Sequence, residues 1–126
     1  VLEVDSLSRP PILQNASFSV CAGEIVGIGG IAGAGRTELL TAICGADPAR
    51  SGTIRIGGRE TKIPTPTAGL AAGIVYTAED RKQEGLILQA SIRENVAVSN
   101  LGSLSRWGLV SERAKKLLAK VSTDRF

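Results

Sequence analysis

The sequence predicts an α/β fold, and three observations carry that prediction. Segments of alternating apolar and polar residues near the start read as β-strands. An apolar run then ends in a glycine-rich stretch that opens directly into a helical pattern. Beyond it the order hairpin, helix, strand mixes both periods along one chain. A helix bundle would keep the helical period throughout, and a barrel would keep the alternation.

Taken in order, Val1–Asp5 reads as a short strand, with Leu2 and Val4 alternating against Glu3 and Asp5. Pro10 and Pro11 force a turn. Ala16–Val20 alternates again, Phe18 and Val20 on one face and Ser17 and Ser19 on the other. After a turn at Ala22–Gly23, the run Ile25-Val26-Gly27-Ile28 within Glu24–Ile28 suits a strand buried on both faces. Gly29–Gly35 is too glycine-rich for helix or strand. A helix is expected over Arg36–Cys44, with Leu39, Leu40 and Ile43 on its buried side and Gly45 at its end.

Asp47-Pro48 and Ser51-Gly52 mark turns. Thr53–Ile56 reads as a strand that passes through a Gly57-Gly58 turn into Glu60–Ile63 as a hairpin. Pro64 and Pro66 introduce a short helix through Ala72, with Thr65 as its cap; Gly73 stops it, and Ile74–Thr77 reads as a further strand. Ala78–Gln89 is polar and reads as a mobile loop. Ile92–Val98 fits helix or strand equally. Val110, Ala114, Leu117, Leu118 and Val121 recur at helical spacing, with Lys115, Lys116 and Lys120 outward and Ser111 placed to cap. No internal repeat is visible.

Composition narrows the function. The chain has 126 residues, enough for one domain or a piece of a larger one, and at 43% hydrophobic and 21% charged it is neither disordered nor low in complexity. Aromatics at 3% leave little material for stacking bases, which argues against single-stranded nucleic acid as partner. The net charge of +3 permits an anionic ligand without requiring DNA, RNA or a lipid surface. The chain contains no histidine, so a histidine-based triad or metal site cannot be built from these residues. Cys21 and Cys44 are read as small apolar fillers in a reducing compartment, with a disulfide as the alternative. No stretch approaches a membrane span, and no signal-peptide pattern opens the chain; neither insertion nor export is expected.

The strongest local signal is Gly30-Ile31-Ala32-Gly33-Ala34-Gly35-Arg36-Thr37, lying between a buried-strand pattern and a helix pattern. It follows the phosphate-loop form G-x-x-x-x-G-K-[ST], except that Arg36 occupies the lysine position. Glycines let the backbone wrap a phosphate with successive N–H groups inward, and the start of the following helix adds a favourable field. A hydroxyl at Thr37 belongs on the metal, and the cation before it on the outer phosphates. Arginine can bind there as a planar fork, but it lacks the compact mobile charge of lysine. The rival reading is a glycine-rich turn that merely joins strand to helix. A dinucleotide fingerprint is not completed: starting at Gly27 it meets Ala32, and starting at Gly33 it meets Glu38.

Two further clusters stand out. Glu79-Asp80-Arg81-Lys82 follows a strand pattern, where a carboxylate can approach a metal or a water; a solvated charged loop is the equal alternative. Arg113, Lys115 and Lys116 read as the outer face of a helix rather than an anion site.

As an ordered set, these pieces resemble a known family. Val1-Leu2-Glu3-Val4, Ala16-Ser17-Phe18-Ser19-Val20, Gly23-Glu24-Ile25-Val26-Gly27, the loop through Thr37-Glu38-Leu39, Gly45-Ala46-Asp47-Pro48, Glu79-Asp80-Arg81-Lys82, Gly85-Leu86 and Ser91-Ile92-Arg93-Glu94-Asn95 are similar to the ATP-binding subunits of bacterial ABC importers for monosaccharides, of the ribose, xylose and galactose type. Those subunits carry two ATP-binding domains, and the match is to the N-terminal half of the second. The resemblance implies a P-loop NTPase fold of the ABC ATPase type, incomplete, comprising the N-terminal β-subdomain and the start of the nucleotide-binding core. Residues 1–126 would be a partial domain that ends before the signature, Walker B and switch regions.

The resemblance also assigns roles. Gly30, Gly33, Ala34, Gly35, Arg36, Thr37 and Glu38 would bind ATP, and Thr37 and Glu79 would meet Mg²⁺. No catalytic residue falls within the chain. Arg36 for lysine and Glu79 for the usual glutamine are departures shared by the second domain of this family, and both point to weakened hydrolysis. The adenine-stacking aromatic expected near Ser8–Ile12 is missing; Arg9 could stack its guanidinium there, or Pro10 and Pro11 could simply shape the turn. Implied partners are transmembrane permease subunits, the other ATP-binding domain of the same polypeptide and, indirectly, a periplasmic sugar-binding protein, with no nucleic acid. Residues Glu79–Leu86 would couple to the permease, placing the protein peripherally on the cytoplasmic face of the inner membrane. Two other functions compete with an ATPase component: a regulatory module that binds ATP or ADP without hydrolysing it, and an interaction fragment with an empty loop.

Overall fold

The structure, a computed structural model, describes residues 1–49, 51–98, 100–106 and 109–124. The expected domain end at Phe126 lies outside the described residues. The chain forms two compact units, Val1–Tyr76 and Thr77–Phe126.

The first unit is a four-stranded antiparallel sheet with helices beside it, as the α/β prediction requires. Its order is β2-β1-β3-β4, built from β1 (Leu2–Arg9), β2 (Leu13–Val20), β3 (Ser51–Ile56) and β4 (Arg59–Glu60). β1 and β2 run longer than their alternation suggested, because a bulge resets the alternation partway. Val4 and Leu7 are three positions apart, so a regular strand would point them to opposite faces, yet both are buried. The register shifts between them, where Ser6 adopts φ 52°. The displaced Ser6 N–H donates to Ser17 Oγ on β2 at 2.8 Å. Opposite the bulge, Gly52 has φ 97°, and a Cβ there would lie 2.6 Å from both Leu7 Cα and Ser6 O. Glycine is required at that point.

The β3–β4 hairpin turns at Gly57-Gly58, with φ 58° and 76°, the signs a tight two-residue hairpin needs. β4 is shorter than the expected Glu60–Ile63, and Ile63 instead enters the core. Helix α1 spans Arg36–Cys44 as expected and lays Leu39, Ala42 and Ile43 on Val4, Leu7, Leu13 and Ile54 of the sheet. Leu40, placed on the buried side by the sequence reading, is 42% exposed. The buried positions at 39, 42 and 43 define a face that excludes 40. Helix α2 (Pro66–Ala71) begins at its predicted cap, Thr65 Oγ1 accepting from Ala68 N at 3.3 Å, and ends before Gly73 at φ 86°.

Two predicted strands do not form. Glu24–Ile28 makes no ladder, and Ile25 is 98% exposed. Ile74–Thr77 likewise joins no ladder, although Ile74 packs against the core. A strand is completed only by hydrogen bonds to an adjacent strand in the plane of the sheet. No described strand pairs with either segment.

In the second unit, the segment read as a mobile polar loop contains a single π-helical turn, Arg81–Gly85, capped by Asp80, whose Oδ1 accepts from Lys82 N and Gln83 N at 2.9 and 3.2 Å. The ambiguous Ile92–Val98 is helix α3. A short helix α4 (Leu101–Leu104) and the pair β5 (Ser105–Arg106) and β6 (Leu109–Val110) follow, none of them foreseen. Helix α5 (Glu112–Thr123) starts at Ser111, whose Oγ accepts from Ala114 N at 3.3 Å, and it packs against α3. Arg113 and Lys116 are exposed, and Lys115 pairs with Glu112 at 2.5 Å. That contact holds the Glu112 carboxyl below the usual range. Cys44 is buried as expected; Cys21 is exposed, and both are free thiols.

Candidate functional site

The glycine loop reaches α1 through Gly35, which adopts φ 84° and serves as N-cap with no side chain to close the helix end. The Gly35 carbonyl accepts from Leu39 N at 2.9 Å, so the helix is formed from its first turn. Its leading N–H groups have no side-chain cap and lie at the positive end of the peptide dipoles. The loop is folded upon itself: Ala34 N donates to Ile31 O at 3.1 Å, and a Cβ on Gly30 would come within 2.8 Å of the Ala34 methyl. Gly33, at φ 78°, opens onto free space. Gly35 is buried beneath Ile12, whose Cγ2 would stand 3.2 Å from an added Cβ. The β1–β2 turn therefore lies directly against the start of α1.

Arg36 and Thr37 are exposed and Glu38 is half-buried. Among the described residues Arg36 enters no ion pair. The Thr37 carbonyl accepts from Thr41 Oγ1 at 2.9 Å. A free guanidinium, a hydroxyl and uncapped amides are thus gathered at one helix end. This end can bind an anion carrying several oxygens, with Thr37 offering one neutral ligand to a hard cation. Among the described residues no cluster of three acidic, histidine or cysteine side chains could hold a metal alone. A cation at Thr37 would have to share oxygens with a phosphate ligand.

Gly30, Gly33, Ala34, Gly35, Arg36, Thr37 and Glu38 are brought together in the first unit. Glu79 belongs to the second, exposed in a bend before the π-helical turn, so neither unit contains both candidate metal ligands. Arg9, the candidate base-stacking residue, is engaged elsewhere: its guanidinium pairs with Asp47. That pairing had no local signal, since the two residues are far apart in sequence.

The second unit holds a feature that sequence reading missed. Ser91 and Glu94 form a reciprocal cap on α3: Ser91 N and Oγ both donate to Glu94 Oε2 at 2.7 Å, and Glu94 N donates to Ser91 Oγ at 3.3 Å. Those donors hold the Glu94 carboxyl below its ordinary value. The S-x-x-E spacing was the signal that could have identified Ile92–Val98 as a helix.

The sequence profile of the ABC transporter family matches residues 13–126, and the chain belongs to that family. Within it the chain carries ATP-binding-subunit sequence closely related to the ribose-import type. It is 47% identical over 116 residues to the ribose import ATP-binding protein RbsA of Bacillus licheniformis, covering 92% of this chain and 24% of the relative. The RbsA of Oceanobacillus iheyensis is 43% identical over all 126 residues, 25% of its own length. That of Bacillus subtilis is 43% identical over 113 residues, 90% of this chain and 23% of the relative. The chain spans about a quarter of the length of these relatives. Among the described residues no helix is long and apolar enough to cross a membrane.

Proposed function

We infer that the chain is the phosphate-cradling portion of the second ATP-binding domain of a monosaccharide-import ATPase, and that it binds ATP with Mg²⁺ through Gly30–Glu38. The observation that carries this reading is the uncapped start of α1 behind the folded glycine loop, with Arg36 beside it in no ion pair among the described residues. The main-chain N–H groups of Gly33, Gly35 and Glu38 would surround the phosphate oxygens, while Ala34, whose N–H is taken by Ile31 O, would hold the loop in its fold. Arg36 would supply a two-pronged donor to the outer phosphates, and Thr37 Oγ1 would be one ligand of Mg²⁺. Glu79 would add a carboxylate at the metal or at water. Bound Mg²⁺ would neutralise charge on the phosphate oxygens.

Hydrolysis would need groups outside these 126 residues: a signature, a Walker B aspartate and a catalytic glutamate from further sequence, and a facing second ATP-binding domain. The chain alone is expected to bind without turnover. In the whole protein, closure of two such domains on ATP would be passed through Glu79–Leu86 to transmembrane permease subunits, with a periplasmic sugar-binding protein delivering substrate. Location at the cytoplasmic face of the inner membrane, as a peripheral subunit, follows from that assembly. Arg36 and Glu79 also support a second reading, in which the site holds ATP or ADP as a regulatory clamp and does not hydrolyse it.

Calorimetric titration with MgATP, using NAD as control ligand, tests the binding. Saturable ATP binding with no NAD signal is expected. Arg36→Ala should weaken it about tenfold, the usual scale for a lost charge-assisted hydrogen bond. Thr37→Ala should weaken binding in Mg²⁺ and leave binding in EDTA unchanged. A folded chain that takes up no ATP would overturn the reading.

A further inference from the structure

We propose that Asn95 is the positioning residue that holds the apolar loop directly after the coupling segment in its working shape. The proposal rests on the reading of Glu79–Leu86 as the segment that meets the permease.

Asn95 lies in the first turn of α3, its own N–H donating to Ser91 O at 3.0 Å. Its side chain reaches back over the preceding loop. Oδ1 accepts from Ile87 N at 2.8 Å, while Nδ2 donates to Ile87 O at 3.0 Å, Ser91 O at 3.1 Å and Ala90 O at 3.3 Å. One carboxamide thus satisfies both main-chain groups of Ile87, as a neighbouring strand would, and shares its hydrogens with the carbonyls that lead into the helix. No other side chain of that length presents an acceptor and two donors on one carbon. Aspartate would turn an oxygen toward three carbonyl oxygens. Leucine, of the same shape, would leave the Ile87 N–H and all three carbonyls without this partner.

The consequence lies in what the clamped loop presents. A loop normally covers itself with polar residues, but this one displays Leu86, Ile87 and Leu88, with Ile92 74% exposed beside them. They border a groove of about 380 Å³, and among the described residues none that lines it carries a charge. Such a surface suits the aliphatic side chains of a permease segment. It follows the π-helical turn directly, so its C-terminal anchor is the Asn95 amide and its N-terminal anchor is the Asp80 cap. Without the amide, Ile87 would keep the bond that its carbonyl accepts from Ala90 N at 2.9 Å but lose both bonds to Asn95, and the loop would present the same residues in more shapes. Docking would then have to supply the ordering that Asn95 now provides in advance.

The test uses the full-length polypeptide assembled with its permease subunits in liposomes. Sugar uptake and ATP hydrolysis are measured together for wild type, Asn95→Leu, Asn95→Asp and Leu88→Ser. Both Asn95 variants should keep the wild-type KM for ATP and lose about tenfold in sugar moved per ATP hydrolysed, the scale of losing one or two hydrogen bonds. Amide exchange at Ile87 should speed up by a similar factor. Leu88→Ser, which leaves the clamp intact, should lower the ratio with no change at the Ile87 amide; it keeps the idea testable if Asn95→Leu does not fold. Wild-type coupling in the Asn95 variants would overturn the role of Asn95 and leave the proposed function standing. A wild-type assembly without ATP-driven uptake would overturn that function, and this inference with it.

Discussion

Two groups of apolar segments behave in opposite ways. β1, β2 and β3 pair with one another in an antiparallel sheet and bury Val4, Leu7, Leu13 and Ile54 under α1. Glu24–Ile28 and Ile74–Thr77 are at least as apolar, yet form no strand, and Ile25 stands almost wholly in solvent. Hydrophobicity does not separate the two groups. What separates them is where their hydrogen-bond partners lie. The sheet is assembled from a tight turn at Pro10-Pro11, a hairpin at Gly57-Gly58 and the adjacent β1–β3 ladder, so each strand finds partners within the unit. The other two segments, one read as a strand buried on both faces and the other as a short strand, find no described strand to pair with.

The largest effect is expected from breaking the sheet at its bulge. Gly52→Ala forces a Cβ to 2.6 Å from Leu7 Cα at a φ of 97°, and should cost about 3 kcal/mol or more in urea unfolding. Ile25→Ser, in the unpaired segment, should change stability by no more than about 0.5 kcal/mol, although it replaces a larger apolar side chain. A large cost at Ile25 would mean that this segment is buried in solution, and the contrast would fail.

A finer probe of the same bulge is Ser17→Ala. It removes the hydroxyl that accepts from Ser6 N–H and should destabilise by about 1 kcal/mol. Unchanged thermal unfolding would show that water replaces Ser17 without loss.

The smallest effect concerns the reciprocal cap on α3, another element that satisfies itself within a few residues. The folded Glu94 carboxyl titrates below its ordinary value of 4.5. Its stabilising contribution is therefore complete above that value and is lost as the pH falls through the lower, folded one. The Ser91 amide resonance should report that transition by NMR. In Ser91→Ala the Glu94 titration should return toward the ordinary value, and an unchanged titration would show that Ser91 is not its cause.

Legibility followed the same division. The Arg36–Cys44 helix, the Thr65 cap, the Gly57-Gly58 hairpin and the Ser111 cap were readable because each is specified by residues a few positions apart. The glycine loop belongs with them: G-x-x-x-x-G followed by Arg36-Thr37 is a local pattern, and its residues do gather at the start of α1. The bulge at Ser6 was not readable, since its warrant is Gly52, which is distant in sequence. Nor was the Arg9–Asp47 pair, which takes up the guanidinium considered for base stacking. The alternation in β1 gave its direction but not the shift that places Leu7 in the core.

Sequence by itself determined the α/β class, the caps and turns, the family and the loop with its arginine, because short-range sterics and hydrogen bonding decide those within one turn of chain. Tertiary structure alone decided which apolar runs become strands, which face of α1 is buried and how one asparagine clamps the loop ahead of α3. Those outcomes depend on backbone groups finding partners from elsewhere in the fold, and a one-dimensional pattern does not carry that pairing.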